Sequence, residues 1–149
     1  MRTHVTFRHP APFLPIRDEE GNIVSDGTIL SVLGADWFAA ALKRIGALEI
    51  GPDLCQEDWG VVVFVKRNHK KFWIGLSMWP DYEQGWLAHI HHGSFAWFQR
   101  FSSSGNQELQ DLAKDVHGAL SNDPSVSEIA WYRQEELIKG PDSSSPTPV

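Results

Sequence analysis

His89, Ile90, His91 and His92 carry the one metal-like spacing in this sequence. Side chains alternate along an extended strand, so His89 and His91 project from one face and His92 from the other. Two imidazoles two residues apart can share a transition metal such as zinc. A catalytic centre also needs a third protein ligand and an open position. His4, His9, Glu57 and Asp58 are the candidates for that ligand, and no second motif selects among them. The missing ligand favours a plainer reading, in which His89 and His91 are polar aromatic surface residues packed beside Trp73 and Phe98.

Other chemistry is weaker. Glu57 and Asp58 invite an acid/base role, but adjacent carboxylates at a strand entrance point to different sides and lack a partner base. Cys55 is the single cysteine. It excludes a disulfide framework and reads as an inert thiol in a reducing compartment. His117 falls off the apolar stripe of its helix and is expected at the surface. Arg100 can hold an anion beside His89 or pair with an acidic loop. The sequence has no Gly-rich phosphate loop, no G-x-S-x-G, no C-x-x-C and no H-E-x-x-H.

The strands that carry these residues follow from alternation. Val61 to Val65 and Phe72 to Met78 are rich in branched and aromatic residues. With Asn68 and His69 as a two-residue loop, Val65 faces Phe72, Val63 faces Ile74 and Val61 faces Leu76, which gives one buried face. A second hairpin is predicted at His92-Gly93-Ser94-Phe95, with Gly93 first in the loop. In that register His91 faces Ala96, His89 faces Phe98 and Leu87 faces Arg100. Joining the hairpins through their core faces puts Ile74 near Ile90, Trp73 near His91 and Gly75 near His89. The opposite face then carries Phe64, Trp73, His89, His91, Phe98 and Arg100, too apolar for plain solvent and too polar for a core. This is the candidate binding surface.

Around the sheet, His4 to Arg8 reads as a short edge strand. Pro10, Pro12 and Pro15 keep the following segment extended, and Phe13, Leu14 and Ile16 are candidates to cover the second face. Asp36 to Ile45 reads as a helix capped by Asp36, with an earlier start open because Ile29 to Leu33 are apolar. Gly51-Pro52-Asp53 is expected to break the chain before the sheet. Leu109, Leu112, Ala113, Val116, Ala119 and Leu120 define a second amphipathic helix, with Ser104 and Gln107 as a capping box. Asn122-Asp123-Pro124 ends it. Val126 to Arg133 is predicted to be a fifth strand, with a helical turn over Tyr132 to Ile138.

The expected fold is α+β: a mainly antiparallel β-meander of four to five strands with two helices on the Val63/Ile74/Ile90/Trp97 face. Residues 1–139 form one domain, with 1–33 an extended N-terminal segment and 34–139 the core. The Ser- and Pro-rich tail 140–149 is expected to be disordered.

At 149 residues the chain is long enough for one sizeable core, and its net charge of −6 argues against a nonspecific nucleic-acid binder. Arg67, Lys70 and Lys71 form the one basic cluster and read as a solvated hairpin tip. The N-terminal stretch, with no unbroken apolar run, does not read as a signal peptide and no stretch reads as a membrane span, so a cytoplasmic protein is expected. Seven Trp and eight Phe are many for this length, and aromatics dominate interface hot spots. In size, charge and layout the chain resembles single-domain bacterial immunity proteins and secretion-type chaperones. The expectation is a non-enzymatic, acidic protein-binding domain with no cofactor and a basic protein partner. A metal-binding protein or small metal-dependent enzyme using His89 and His91 is the alternative. A homodimer through the aromatic face is a further possibility.

Overall fold

The computed structural model describes residues 1–10, 19–20, 27–57, 59–79, 84–93, 105–139 and 143–148. In chain order the elements are β1 (His4–Arg8), α1 (Gly27–Lys43), β2 (Leu48–Glu57), β3 (Gly60–Arg67), β4 (Lys70–Met78), β5 (Gly85–His92), α2 (Gly105–Ser121), β6 (Ser127–Tyr132) and α3 (Gln134–Leu137). The strands form a single antiparallel sheet in the order β2-β3-β4-β5-β1-β6.

The centre of the sheet follows the alternation of the sequence. Val65 pairs with Phe72, Val63 with Ile74 and Val61 with Leu76, and all six are buried. Asn68 and His69 both have positive φ, 50° and 65°, as a two-residue primed turn requires. Between β4 and β5, Ile74 pairs with Ile90, Trp73 with His91 and Gly75 with His89. The slip of one residue that would invert every face is excluded by this core.

The fourth strand of the expected meander is corrected. Residues 95–101 lie outside the described residues, and the edge of β5 assigned to them is occupied by β1. His4 pairs with His89 and Thr6 with Leu87, the positions predicted for Phe98 and Arg100. β1 is also not an edge strand, because β6 pairs along its other side. Thr3 fastens its start to both neighbours: its carbonyl accepts from Ile90 N–H at 2.9 Å, and its N–H donates to the Tyr132 carbonyl at 3.1 Å.

β2 is a second correction. Gly51-Pro52-Asp53 does not end the chain's extended path but sits in a register shift between Ile50 and Leu54. Pro52 is tolerated because β2 borders the sheet, where a missing N–H costs no ladder bond, and the bulge absorbs the extra residues.

The two long helices, α1 and α2, lie on one face. α1 packs across β2, β3 and β4, while α2 packs against β5 and β6 and touches α1. α1 starts at Gly27, the earlier option, so Asp36 is an exposed residue inside it and not its cap. Gly34 lets α1 settle onto the sheet, since a Cβ there would stand 2.0 Å from Trp86. All six predicted apolar positions of α2 are buried. Ser104, the expected cap of α2, lies outside the described residues. The basic hairpin tip docks on the polar side of α2. Arg67 Nε meets Asp115 Oδ2 at 2.7 Å, and Lys70 Nζ meets Glu108 Oε2 at 2.6 Å.

The tail is partly ordered against the sheet. Ser145 and Trp131 exchange backbone hydrogen bonds of 2.7 and 2.9 Å, so residues 143–148 depart from the disorder expected of 140–149. Among the described residues, no helix is long and apolar enough to cross a membrane.

Candidate functional site

The face of the sheet opposite α1 and α2 gathers three histidines. β5 alternation puts His89 and His91 on it, and the β1–β5 register puts His4 directly across from His89. Nδ1 of His89 and Nε2 of His91 are 2.8 Å apart, a hydrogen bond in which one ring donates and the other accepts. The His4 ring is stacked beside His89 with centroids 5.9 Å apart, and stands 6.4 Å from His91, edge-on. His4 Nδ1 lies 3.2 Å from Thr3 Oγ1.

Aromatic rings wall this cluster. Trp73 stacks on His91 at 4.0 Å with the planes 11° apart, and meets His89 edge-on at 5.5 Å. Trp59, at the β2–β3 turn, packs on His89 at 5.0 Å. Gly75, across from His89, leaves the space that the imidazole fills, as the sequence register anticipated. Phe64 neighbours Trp73 in the ladder.

These surroundings keep the imidazoles uncharged. Burial, reinforced by the neighbouring charges of His91 and His4, pushes His89 down to about 3. Burial and then His4 bring His91 to about 4. His4 is lowered by burial alone. At neutral pH the cluster therefore offers nitrogen lone pairs and N–H donors without net charge.

Of the residues singled out in sequence, Phe64, Trp73, His89 and His91 share this face. Phe98 and Arg100 lie outside the described residues, as do Asp58 and the proposed cover of Phe13, Leu14 and Ile16. Among the candidate third ligands, the fold selects His4. His9 is on the helix-bearing side, stacked on Trp37 at 3.7 Å, and Trp37 Nε1 donates to Asp123 at 3.0 Å. Glu57 Oε1 accepts from Cys55 Sγ at 3.5 Å. Burial and then this carboxylate raise the Cys55 thiol pKa, which suits an inert group. His117 is half-buried and accepts from the Trp131 indole at 3.2 Å, a structural role in place of the exposed one expected. As the side chains stand, no three His, Cys, Asp or Glu among the described residues enclose a metal position.

Trp59 is the contributor that sequence reasoning missed. At 40% exposure it is a large apolar side chain presented to solvent beside the histidines. The signal available was its place at the head of the first core strand, two residues after Glu57. No family model matches the chain, and no curated protein and no solved structure matches it.

Proposed function

We propose that this is a non-enzymatic binding domain whose sheet face opposite α1 and α2 receives a basic protein partner. The observation that carries the reading is the exposed Trp59 beside half-buried Trp73 and Phe64, grouped around histidines held uncharged. A patch of aromatic rings without charge is the composition of an interface centre, and its desolvation on binding costs little. The net charge of −6 favours approach of a positive partner. Arg67 and Lys70, the basic pair that a nucleic acid would use, are engaged by the carboxylates of α2.

The test is affinity capture with the wild type, with Trp59→Ser/Trp73→Ser, and with Ile138→Ser, which removes an exposed apolar residue on α3's far end. A basic protein held by the wild type and the Ile138 variant but lost from the double variant is the expected result. Titration of that purified protein should show a loss of about 2 kcal/mol or more for the double variant, the range of an aromatic hot spot. Equal retention by all three proteins removes the reading.

A further inference from the structure

We propose that His4, His89 and His91 form a three-histidine site for a borderline transition-metal ion such as zinc(II), with one coordination position left open. The inference does not rest on partner binding; a bound ion would place positive charge in the same patch, so the metal and a basic partner would compete for this face.

The ligand type fits first. Neutral imidazoles suit zinc, copper, nickel and iron, and three of them plus an open position is an established catalytic zinc set. The histidines come from two adjacent strands, two from β5 and one directly across on β1. A hydrogen-bonded ladder fixes all three backbones, which is what a pre-organised site requires.

The distances fit next. Tetrahedral zinc with Zn–N bonds near 2.0–2.1 Å holds its nitrogens roughly 3.3 Å apart and its ring centres roughly 5 Å apart. His89 Nδ1 and His91 Nε2 are 2.8 Å apart, with ring centroids at 5.0 Å. The two nitrogens that share a proton are thus the two that would share the ion, after opening by about half an ångström. In that exchange the bridging N–H moves to the other nitrogen of its own ring, so both ligands are neutral and no proton is lost overall. His4 is at 5.9 and 6.4 Å from the other rings, so the three side chains do not enclose a metal position as they stand, and the ion would have to draw the His4 ring toward the His89–His91 pair. His4 Nδ1 is the nitrogen beside Thr3 Oγ1. A hydrogen bond there leaves Nε2 for the metal and sets the ring's orientation, the usual arrangement for a ligating histidine.

The surroundings fit last. Trp73 and Trp59 supply the apolar wall that excludes water from two sides. A cavity of about 220 Å³ reaches both His4 and His91 and carries Thr3 and Glu135 on its wall. It borders two of the three histidines, His89 not being among its lining residues, and offers the ion an entry path on that side.

The test is titration of the chelator-treated full chain with zinc(II) and with cobalt(II), followed by calorimetry and by the visible spectrum of the cobalt form. The expected result is uptake of close to one equivalent, with the intense visible bands of tetrahedral cobalt. His4→Gln and His91→Gln should each raise Kd by more than about 100-fold, beyond the roughly 10- to 100-fold cost of losing an outer partner. His92→Gln is the control, because His92 is exposed and packs edge-on against Phe72. A second measurement needs no variant: imidazole 15N resonances of His4, His89 and His91 should shift together on adding zinc, while those of His92 and His117 stay. The proposal is overturned by three results: uptake well below one equivalent, equal weakening by His92→Gln, or resonance shifts that leave His4 behind.

Discussion

Gly75 lies directly beneath the imidazole of His89. A Cβ added to Gly75 would stand 2.3 Å from both Cε1 and Nε2 of that ring, and 2.7 Å from Trp59. No real Cβ tolerates this approach, so the methyl of alanine must displace both rings. Gly75→Ala is therefore expected to destabilise by about 1–3 kcal/mol, the cost of overpacking, and to break the His89–His91 hydrogen bond. Gly118 provides the contrast. It lies inside α2 with nothing within 4 Å of its added Cβ, so Gly118→Ala should stabilise by roughly 0.5–1 kcal/mol through helix propensity. Denaturant unfolding of the two variants checks both signs. A Gly75→Ala protein as stable as the wild type would mean that His89 is not held against the sheet.

Acid should destabilise the metal-free protein above the range where carboxylates titrate. His89 sits at about 3 and His91 at about 4 in the fold, against about 6.5 when unfolded. Between those values the unfolded chain binds more protons, so stability rises with pH and falls as pH drops below about 6.5. The stability contributed by each uncharged ring is fully present above the unfolded value and is lost progressively toward the folded one. From pH 7 to pH 5 the loss should be on the order of 1 kcal/mol per histidine, allowing for partial access of water. Urea unfolding at several pH values, with chelator present, measures it. The His89→Gln/His91→Gln variant should show a flatter profile over the same window. An unchanged slope would place the acid sensitivity elsewhere.

The central hairpin was legible because both faces of each strand were constrained. Val61, Val63 and Val65 can meet Leu76, Ile74 and Phe72 in one register only, and that register carried Trp73 to His91 and Gly75 to His89. β1 was legible as a strand but not as the partner of β5. Five residues of alternating Val5 and Phe7 state which face is buried and say nothing about which edge, some 80 residues away, they will join. His4 enters the site only through that pairing, so the third histidine remained one candidate among four. β2 was hidden by Gly51-Pro52, whose local chemistry signals a break, whereas an edge strand with a bulge accommodates both. Trp59 escapes a sequence reading because sequence carries no measure of exposure at a turn.

Removing Arg67 should loosen the β3–β4 hairpin from α2. The guanidinium is only 17% exposed and reaches Asp115 at 2.7 Å through Nε and Asp111 at 3.7 Å through Nη1. A half-buried pair with two carboxylates exceeds the 0–1 kcal/mol of a surface ion pair, and stripping its cation leaves the acids facing each other. Arg67→Ala should cost about 1–2 kcal/mol. Arg67→Lys should recover less than half, because an ammonium cannot place a fixed fork of donors against two acids. A double-mutant cycle with Asp115→Asn isolates the pair, and added salt should shrink the coupling only slightly. A coupling near zero would reduce the contact to a solvated tip.

His117 holds the indole of Trp131, and the geometry fixes its tautomer. The Trp131 Nε1–H can only donate, so His117 Nδ1, 3.2 Å away, is the acceptor, and its proton resides on Nε2, 3.3 Å from Ser121 Oγ. Trp131 is fully buried on β6. His117→Ala removes the acceptor and leaves a buried donor unmatched, which costs about 1–3 kcal/mol. Burial lowers the His117 pKa, consistent with a ring that must stay neutral to accept, and protonation at Nδ1 would break the same bond. The Trp131 indole proton should therefore exchange faster in His117→Ala than in wild type at neutral pH. In the wild type, its exchange corrected for intrinsic rate should accelerate as the pH is lowered and the His117 ring protonates. An indole proton equally protected in both proteins would show that another group accepts from Trp131.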